Sequence, residues 1–184
     1  MKKLLFLVLI CAGFTSLAQT VKDFALKDVN GKVIHLSDYT SNAGVVIIFT
    51  SNACPFDDYY IERIKNLKSA NVPVLLVNSG LEDAESAAAM ASRAQQKGIT
   101  QPYLADKDQL VLQDLNAHKS TEVFLLKNSG GKFSIYYHGA IDDNPQVAAD
   151  VKHAYLTEAI LTMLDGKALS VPDNRPVGCV IRRK

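Results

Sequence analysis

Cys54 is the residue of this chain best placed to do chemistry. It follows the continuous apolar run Gly44–Thr50, which predicts a buried strand, and it directly precedes Pro55, a residue suited to the first position of a helix. A side chain at such a junction lies near the unpaired N–H groups and the positive end of the helix dipole. Both favour the thiolate, which is the nucleophilic form of cysteine. The sequence therefore predicts a reactive thiol at Cys54, with a buried and inert cysteine as the alternative.

Two acidic residues complicate this interpretation. Asp57 and Asp58 suit the first turn of a helix, where negative charge interacts favourably with the helix dipole. The same charge opposes the formation of a thiolate at the nearby Cys54. These opposing effects leave the reactivity of Cys54 open at the level of sequence.

The N-terminal segment Met1–Ala18 has the pattern of a secretory signal peptide. Two lysines precede the apolar run Leu4–Gly13, and small residues come before the expected cut after Ala18. The run is shorter than the roughly 20 apolar residues that span a bilayer, and an isoleucine before Cys11 disfavours acylation there. We therefore expect an exported protein, periplasmic or extracellular. Its near-neutral charge predicts no nucleic-acid partner.

Removal of that segment leaves two cysteines, Cys54 and Cys179. Outside the cytosol such a pair can form a disulfide, provided that the two Cα atoms come within about 7 Å. Cys179 is then a tail residue without a role, a structural bridge to Cys54, or a resolving thiol. A resolving thiol is chemically useful because a sulfenic acid at Cys54 otherwise over-oxidises. The sequence leaves these three alternatives open.

Strands and helices alternate along the chain, which predicts a central sheet with helices on both faces. Asn30-Gly31 between apolar runs predicts a hairpin over Asp23–Leu36. The further predicted elements are strands at Gly44–Thr50, Val72–Ser79, Pro102–Ala105, Val123–Lys127 and Phe133–His138, and helices from Pro55 to near Ala70, over Glu82–Lys97, over Lys107–Asn116 and over Gln146–Leu164. A βαβ unit followed by a ββα unit is the order of the thioredoxin fold. We predict one α/β domain over residues 19–166, with an N-terminal β-hairpin, a mixed sheet and a C-terminal tail over 167–184.

Five segments resemble a peroxiredoxin-like branch of the thioredoxin superfamily, of the alkyl hydroperoxide reductase/thiol-specific antioxidant type: residues 24–39, 45–64, 120–127, 136–144 and 178–183. The resemblance implies a thioredoxin fold and an antioxidant role in cell redox homeostasis. It matches Cys54 to the peroxidatic cysteine and Ser51 to the hydroxyl residue that precedes it by three positions. It also implies a peroxide or a protein thiol or disulfide as substrate, an external thiol or a thioredoxin-like protein as reductant, and no cofactor.

The chain departs from the family pattern at three places. Ser51 and Asp57 occupy both positions at which relatives carry a second cysteine, so the local dithiol is absent. Thr121 stands where thioredoxin folds usually place a cis-proline, and we expect Pro55 and Thr121 to position the substrate. The assisting arginine of peroxiredoxins is not recognisable, and Arg63 is the substitute that the sequence offers.

Three functions follow from these residues. In the leading one, Cys54 attacks a peroxide oxygen with help from helix N–H groups and the Ser51 hydroxyl, and Cys179 resolves the sulfenic acid. The others are a single-cysteine thiol–disulfide oxidoreductase and a redox-silent binding module. The scattered histidines have no metal-binding spacing, so we expect no metal site at His35, His118, His138 or His153.

Overall fold

The computed structural model describes residues 19–67, 69, 71–170 and 173–184. The predicted signal peptide and its Cys11 lie outside these residues, so the expected export stays a prediction. Among the residues that the structure describes, no helix is long and apolar enough to cross a membrane.

The described residues contain seven strands, all in one mixed sheet of order β2-β1-β5-β4-β3-β6-β7. The strands are β1 (Ala25–Asp28), β2 (Val33–His35), β3 (Gly44–Phe49), β4 (Val74–Asn78), β5 (Tyr103–Ala105), β6 (Val123–Ser129) and β7 (Lys132–Gly139). Strands β3, β4 and β5 are parallel neighbours, whereas β6 runs antiparallel to β3. The predicted N-terminal hairpin forms, and it extends the sheet because β1 pairs antiparallel with β5.

Helices cover both faces of this sheet, as the sequence predicts. They are α1 (Pro55–Asn66), α2 (Ala87–Lys97), α3 (Leu110–Asp114) and α4 (Tyr155–Leu164). Side chains of a strand point alternately to the two faces. In β3, Val46 and Ile48 therefore pack with α1, α2 and α4, whereas Val45, Ile47 and Phe49 pack on the α3 side. This double burial explains why the strand is apolar throughout.

Three predicted helices begin later than expected, and α3 starts at Leu110 instead of Lys107. Helix α2 starts after Ser86, whose hydroxyl accepts the N–H of Ala89, and the preceding Asp83–Glu85 forms a 3-10 turn. The first half of the predicted helix Gln146–Leu164 is wrong. Asn144 Oδ1 accepts the N–H groups of Gln146 and Val147. Asp143 accepts the Lys152 N–H at 3.0 Å. These side chains offer the backbone an alternative to helical hydrogen bonds.

Candidate redox site at Cys54 and Cys179

Cys54 and Cys179 form a disulfide that spans 125 residues of sequence, with their Cα atoms 5.8 Å apart. Cys54 is the N-cap of α1 and is 2% exposed. Pro55 occupies the first helical position, as predicted. Cys179 is partly exposed. A tail cysteine without a partner is therefore the wrong alternative. The bond is either a structural bridge or the oxidised state of a resolving pair.

Backbone hydrogen bonds hold Cys179 in place in addition to the disulfide. The carbonyl of Cys179 accepts the Ser120 N–H at 2.8 Å, and the Cys179 N–H donates to the Ser120 hydroxyl at 3.2 Å. One step further along, the Ile181 N–H donates to the His118 carbonyl at 2.9 Å. The tail thus lies as an extended segment along residues 118–121, the loop that leads into β6.

Close approach at Gly178 makes this pairing possible. A Cβ at that position would lie 1.9 Å from the backbone oxygen of Ser120, well inside contact distance. On the other side of Cys179 the tail alternates in exposure. Val180 is 79% exposed, whereas Ile181 enters the apolar core. Side chains of the tail therefore alternate as they do in an edge strand, with one side facing the protein.

Glu85 lies beneath the loop that precedes Cys54. It is buried, and its carboxylate accepts hydrogen bonds from the Ser51 hydroxyl at 2.6 Å, from Asn78, and from the N–H groups of Asn52 and Ala53. Burial alone would raise the pKa of Glu85, but these donors outweigh it and hold the pKa below its usual value. A fixed negative charge therefore sits under the loop.

Sequence reasoning missed Glu85. An acid before an alanine-rich helix is already explained by the helix dipole, so nothing in the local pattern connects it with residues 51–53. Its position changes what Ser51 does, because the Ser51 hydroxyl donates to Glu85. The expected help of this hydroxyl to Cys54 stays a prediction.

The two acids that follow Pro55 have different environments. Asp58 is half-exposed and forms ion pairs with Arg93 and Lys97, and the hydrogen bond from Lys97 lowers its pKa. Asp57 is buried, and burial raises its pKa to about 7. The sequence treats both as charges that oppose a thiolate at Cys54. In the structure Asp58 is neutralised by two cations, and Asp57 retains a proton up to near-neutral pH.

A cleft of about 190 Å³ lies beside the disulfide and is lined by both cysteines. Its lining is largely apolar and includes the charged residues Glu82, Glu85 and Arg182. This volume accommodates a small thiol or a single peptide side chain. No group of three histidine, cysteine or acidic side chains within the described ranges is arranged to hold a metal ion.

Comparison with known proteins identifies the family of this chain. The AhpC/TSA family matches residues 17–140, two thirds of the chain. The chain belongs to the AhpC/TSA family. None of the curated proteins matches it.

Solved structures place this AhpC/TSA redoxin in the thioredoxin fold. An uncharacterized conserved protein from Geobacillus kaustophilus superposes with a TM-score of 0.82, at 26% identity over 91% of this chain and 92% of that chain. The peroxidoxin BcpB of Mycobacterium tuberculosis gives 0.61, at 16% identity over 82% and 97%. A putative thiol:disulfide interchange protein DsbE from Chlorobium tepidum gives 0.60, at 18% identity over 80% and 96%. The predicted fold and family are confirmed.

Thr121 shows how this redoxin fills the position of the expected cis-proline. None of the peptide bonds in the described part of the chain is cis, and Thr121 has a φ of 58°. A β-branched residue is rare in that region of φ. Its N–H donates to Phe49 O in β3, and its hydroxyl donates to Val177 O in the tail. Thr121 therefore contacts the segment that carries Cys179, and its role toward a substrate stays a prediction.

The arginine that the sequence offers to a peroxide is committed elsewhere in this redoxin. Arg63 donates to Asp142 Oδ2, to Asn144 O at 2.7 Å and to Pro145 O at 2.8 Å, and it lies over the Tyr60 ring. These contacts fasten α1 to the loop after β7. The assignment of Arg63 as the assisting arginine lacks support, because its guanidinium is occupied by this structural role.

Proposed function

We propose that this AhpC/TSA redoxin is a thiol-dependent oxidoreductase whose redox couple is Cys54 and Cys179. The observation that carries the proposal is the bond between a buried cysteine at a helix start and a tail cysteine held by backbone hydrogen bonds. A purely structural bridge needs neither the helix start nor an adjoining cleft. Both features suit a bond that opens and closes.

Reduction of the disulfide by an external thiol takes two exchange steps. The thiolate of an external thiol attacks Cys179 Sγ, which belongs to the more accessible cysteine, and the S–S bond breaks with Cys54 leaving as a thiolate. The positive end of the α1 dipole favours this leaving group. A second external thiolate then attacks the external sulfur of the mixed disulfide. The products are the Cys54–Cys179 dithiol and an oxidised external disulfide.

Peroxide reduction is the second candidate, and family membership favours it. Here the Cys54 thiolate attacks a peroxide oxygen, water or an alcohol leaves, and Cys54 becomes a sulfenic acid. The Cys179 thiolate then attacks this sulfur, which releases water and forms the disulfide. The engagement of Ser51 by Glu85 and of Arg63 by Asp142 argues for slower turnover of peroxide than of disulfides.

Parallel assays of the wild type, Cys54→Ser and Cys179→Ser test both candidates. We expect Cys54→Ser to lose roughly 100-fold or more of disulfide and peroxide turnover, because Cys54 is the nucleophile toward peroxide and the thiolate that closes the disulfide. In the exchange reaction the mixed disulfide forms on Cys179, so Cys54→Ser is expected to accumulate Cys179 adducts that it cannot resolve, and Cys179→Ser to lose disulfide turnover without such adducts. Equal turnover by the wild type and Cys54→Ser would overturn the proposal and favour the redox-silent binding module.

We also propose that the protein is exported, which the lysines and the short apolar run of Met1–Ala18 support. Expression of the full chain in a bacterial host is expected to give a mature protein in the periplasmic fraction that begins at Gln19. N-terminal sequencing of that fraction measures the cut. A charge placed in the apolar run, such as Leu7→Arg, serves as the control and should retain the uncut chain in the cytosol. Uncut wild-type protein found only in the cytosol would refute export.

A further inference from the structure

We infer that Asp57 is the proton carrier of the redox couple: its carboxyl protonates the Cys54 thiolate when the disulfide is reduced and takes the proton back when the bond re-forms. The inference rests on the proposed function of Cys54 and Cys179. It assigns a role to a residue that stands at the position where thioredoxins carry a second cysteine.

The first observation is the environment of the Asp57 carboxyl. Asp57 is 3% exposed, and its Oδ1 accepts the Ser51 N–H at 3.0 Å. Its Oδ2 finds no hydrogen-bond partner among the described residues. A buried carboxylate with an unpaired oxygen is costly, so burial favours the protonated form. The resulting pKa of about 7 suits a group that gives and takes protons near neutral pH.

Asp57 also lies beside the Cys54 end of the disulfide. Asp57 lies in the first turn of the helix that Cys54 caps, and its N–H donates to the Cys54 carbonyl at 3.1 Å. On the other side, the Ser120 hydroxyl lowers the pKa of Asp57 and accepts the N–H of Cys179. The backbone of Asp57 is therefore bonded to Cys54, its carboxyl is bonded to the loop that leads to Cys54, and Ser120 connects these surroundings with Cys179.

A small cavity adjoins the carboxyl. It has a volume of about 10 Å³ and is lined by Thr50, Asp57 and Arg93 together with apolar side chains of α1, β4 and the α2–β5 connection. That volume is close to the space that one water molecule needs. A proton can therefore leave or enter the carboxyl without exposing Asp57 to bulk solvent.

The two buried carboxyls of the site have pKa values shifted in opposite directions. Glu85 accepts several hydrogen bonds, which keep it charged, whereas Asp57 accepts one backbone N–H. Pairs of carboxyls whose surroundings push their pKa values apart are typical of acid–base sites. Two charged groups face Asp57: Arg93 on α2 lowers its pKa, and Glu85 raises it. The charge of Asp57 in turn raises the pKa of Tyr103 on β5. Asp57 is thus the carboxyl that exchanges protons near neutral pH.

One proton moves between the Asp57 carboxyl and the Cys54 sulfur in each direction of the reaction. When an external thiolate attacks Cys179, the electrons of the S–S bond go to Cys54, which becomes a thiolate. The Asp57 carboxyl transfers its proton to that sulfur and is left as a carboxylate. Re-oxidation runs in reverse: the carboxylate removes the proton from Cys54, and the Cys54 thiolate attacks Cys179 Sγ of the mixed disulfide, which expels the external thiolate.

The test is the pH profile of Cys54 alkylation in the reduced protein. The wild type is expected to titrate in two coupled steps around pH 7, and Asp57→Asn in a single step. In Asp57→Asn, an external thiol is also expected to reduce the Cys54–Cys179 disulfide roughly tenfold more slowly at neutral pH. The matched control is Asp58→Asn, which removes a half-exposed carboxyl from the same helical turn and should retain the wild-type profile. The same profile in both variants would overturn the inference.

A measurement on the wild type avoids any dependence on the folding of the variant. Carbon-13 NMR of the Asp57 carboxyl should show its titration midpoint move when the disulfide is reduced, because a new ionisable neighbour appears. A midpoint that is identical in the oxidised and reduced proteins would contradict proton exchange with Cys54. A disulfide that does not turn over at all would instead refute the proposed function, so the two failures are distinguishable.

Discussion

Replacing Gly178 with alanine is expected to make the Cys54–Cys179 disulfide markedly easier to reduce. The added Cβ would meet the backbone oxygen of Ser120 at 1.9 Å, and a backbone atom cannot rotate away as a flexible side chain can. The tail must therefore lift at the residue next to Cys179. Because the two thiols then meet less often, we expect a loss of at least 100-fold in the closing equilibrium, which corresponds to a rise of about 60 mV in reduction potential.

Equilibration of the oxidised and reduced protein in dithiothreitol buffers, followed by alkylation and mass measurement, gives this potential directly. Val180→Ala is the matched control, because it shortens a side chain on the other side of Cys179 that is 79% exposed. It should keep the wild-type potential. If Gly178→Ala and Val180→Ala have the same potential, backbone pairing does not hold Cys179 at the site.

Arg63→Ala is expected to destabilise the fold by about 3–5 kcal/mol, the range measured when one partner of a buried ion pair is removed. Both side chains of the Arg63–Asp142 pair are largely buried, and the guanidinium also satisfies carbonyls of Asn144 and Pro145. Its removal leaves the Asp142 carboxylate buried without a cation. Urea unfolding of the oxidised protein measures the free energy.

Two further variants separate this effect from a general effect of truncating an α1 side chain. Lys65→Ala removes the partner of Glu62 in an exposed pair, and it should cost less than about 1 kcal/mol. The double variant Arg63→Ala/Asp142→Asn should recover part of the loss, because the uncompensated charge is gone. An Arg63→Ala protein as stable as Lys65→Ala would show that the pair contributes little.

Much of the fold follows from local patterns. The apolar run of β3, the Asn-Gly hairpin and the strand–Cys–Pro junction depend on residues close in sequence, and all three are confirmed. The segment after Pro145 was mispredicted because Asp143 and Asn144 bond to nearby backbone groups, which competes with helix formation. Helical periodicity contains no information about that competition.

The site was harder to predict because it is assembled from distant segments. Cys54 and Cys179 are separated by 125 residues, so their proximity depends on how the tail pairs with residues 118–121. The charge state of Asp57 likewise depends on burial beneath elements far along the chain. From the sequence, Asp57 was simply a negative charge beside a thiol.

Because Cys179 lies in the C-terminal tail, the disulfide can form only after the rest of the domain has been synthesised. Residues 177–181 are synthesised after every strand and helix of the domain, so the sheet and the Cys54 junction can form before Cys179 arrives. During that interval the newly made chain carries a thiol whose intended partner does not yet exist. A nascent or prematurely terminated chain is thus the form most exposed to pairing with a foreign cysteine, and arrival of the tail ends that period.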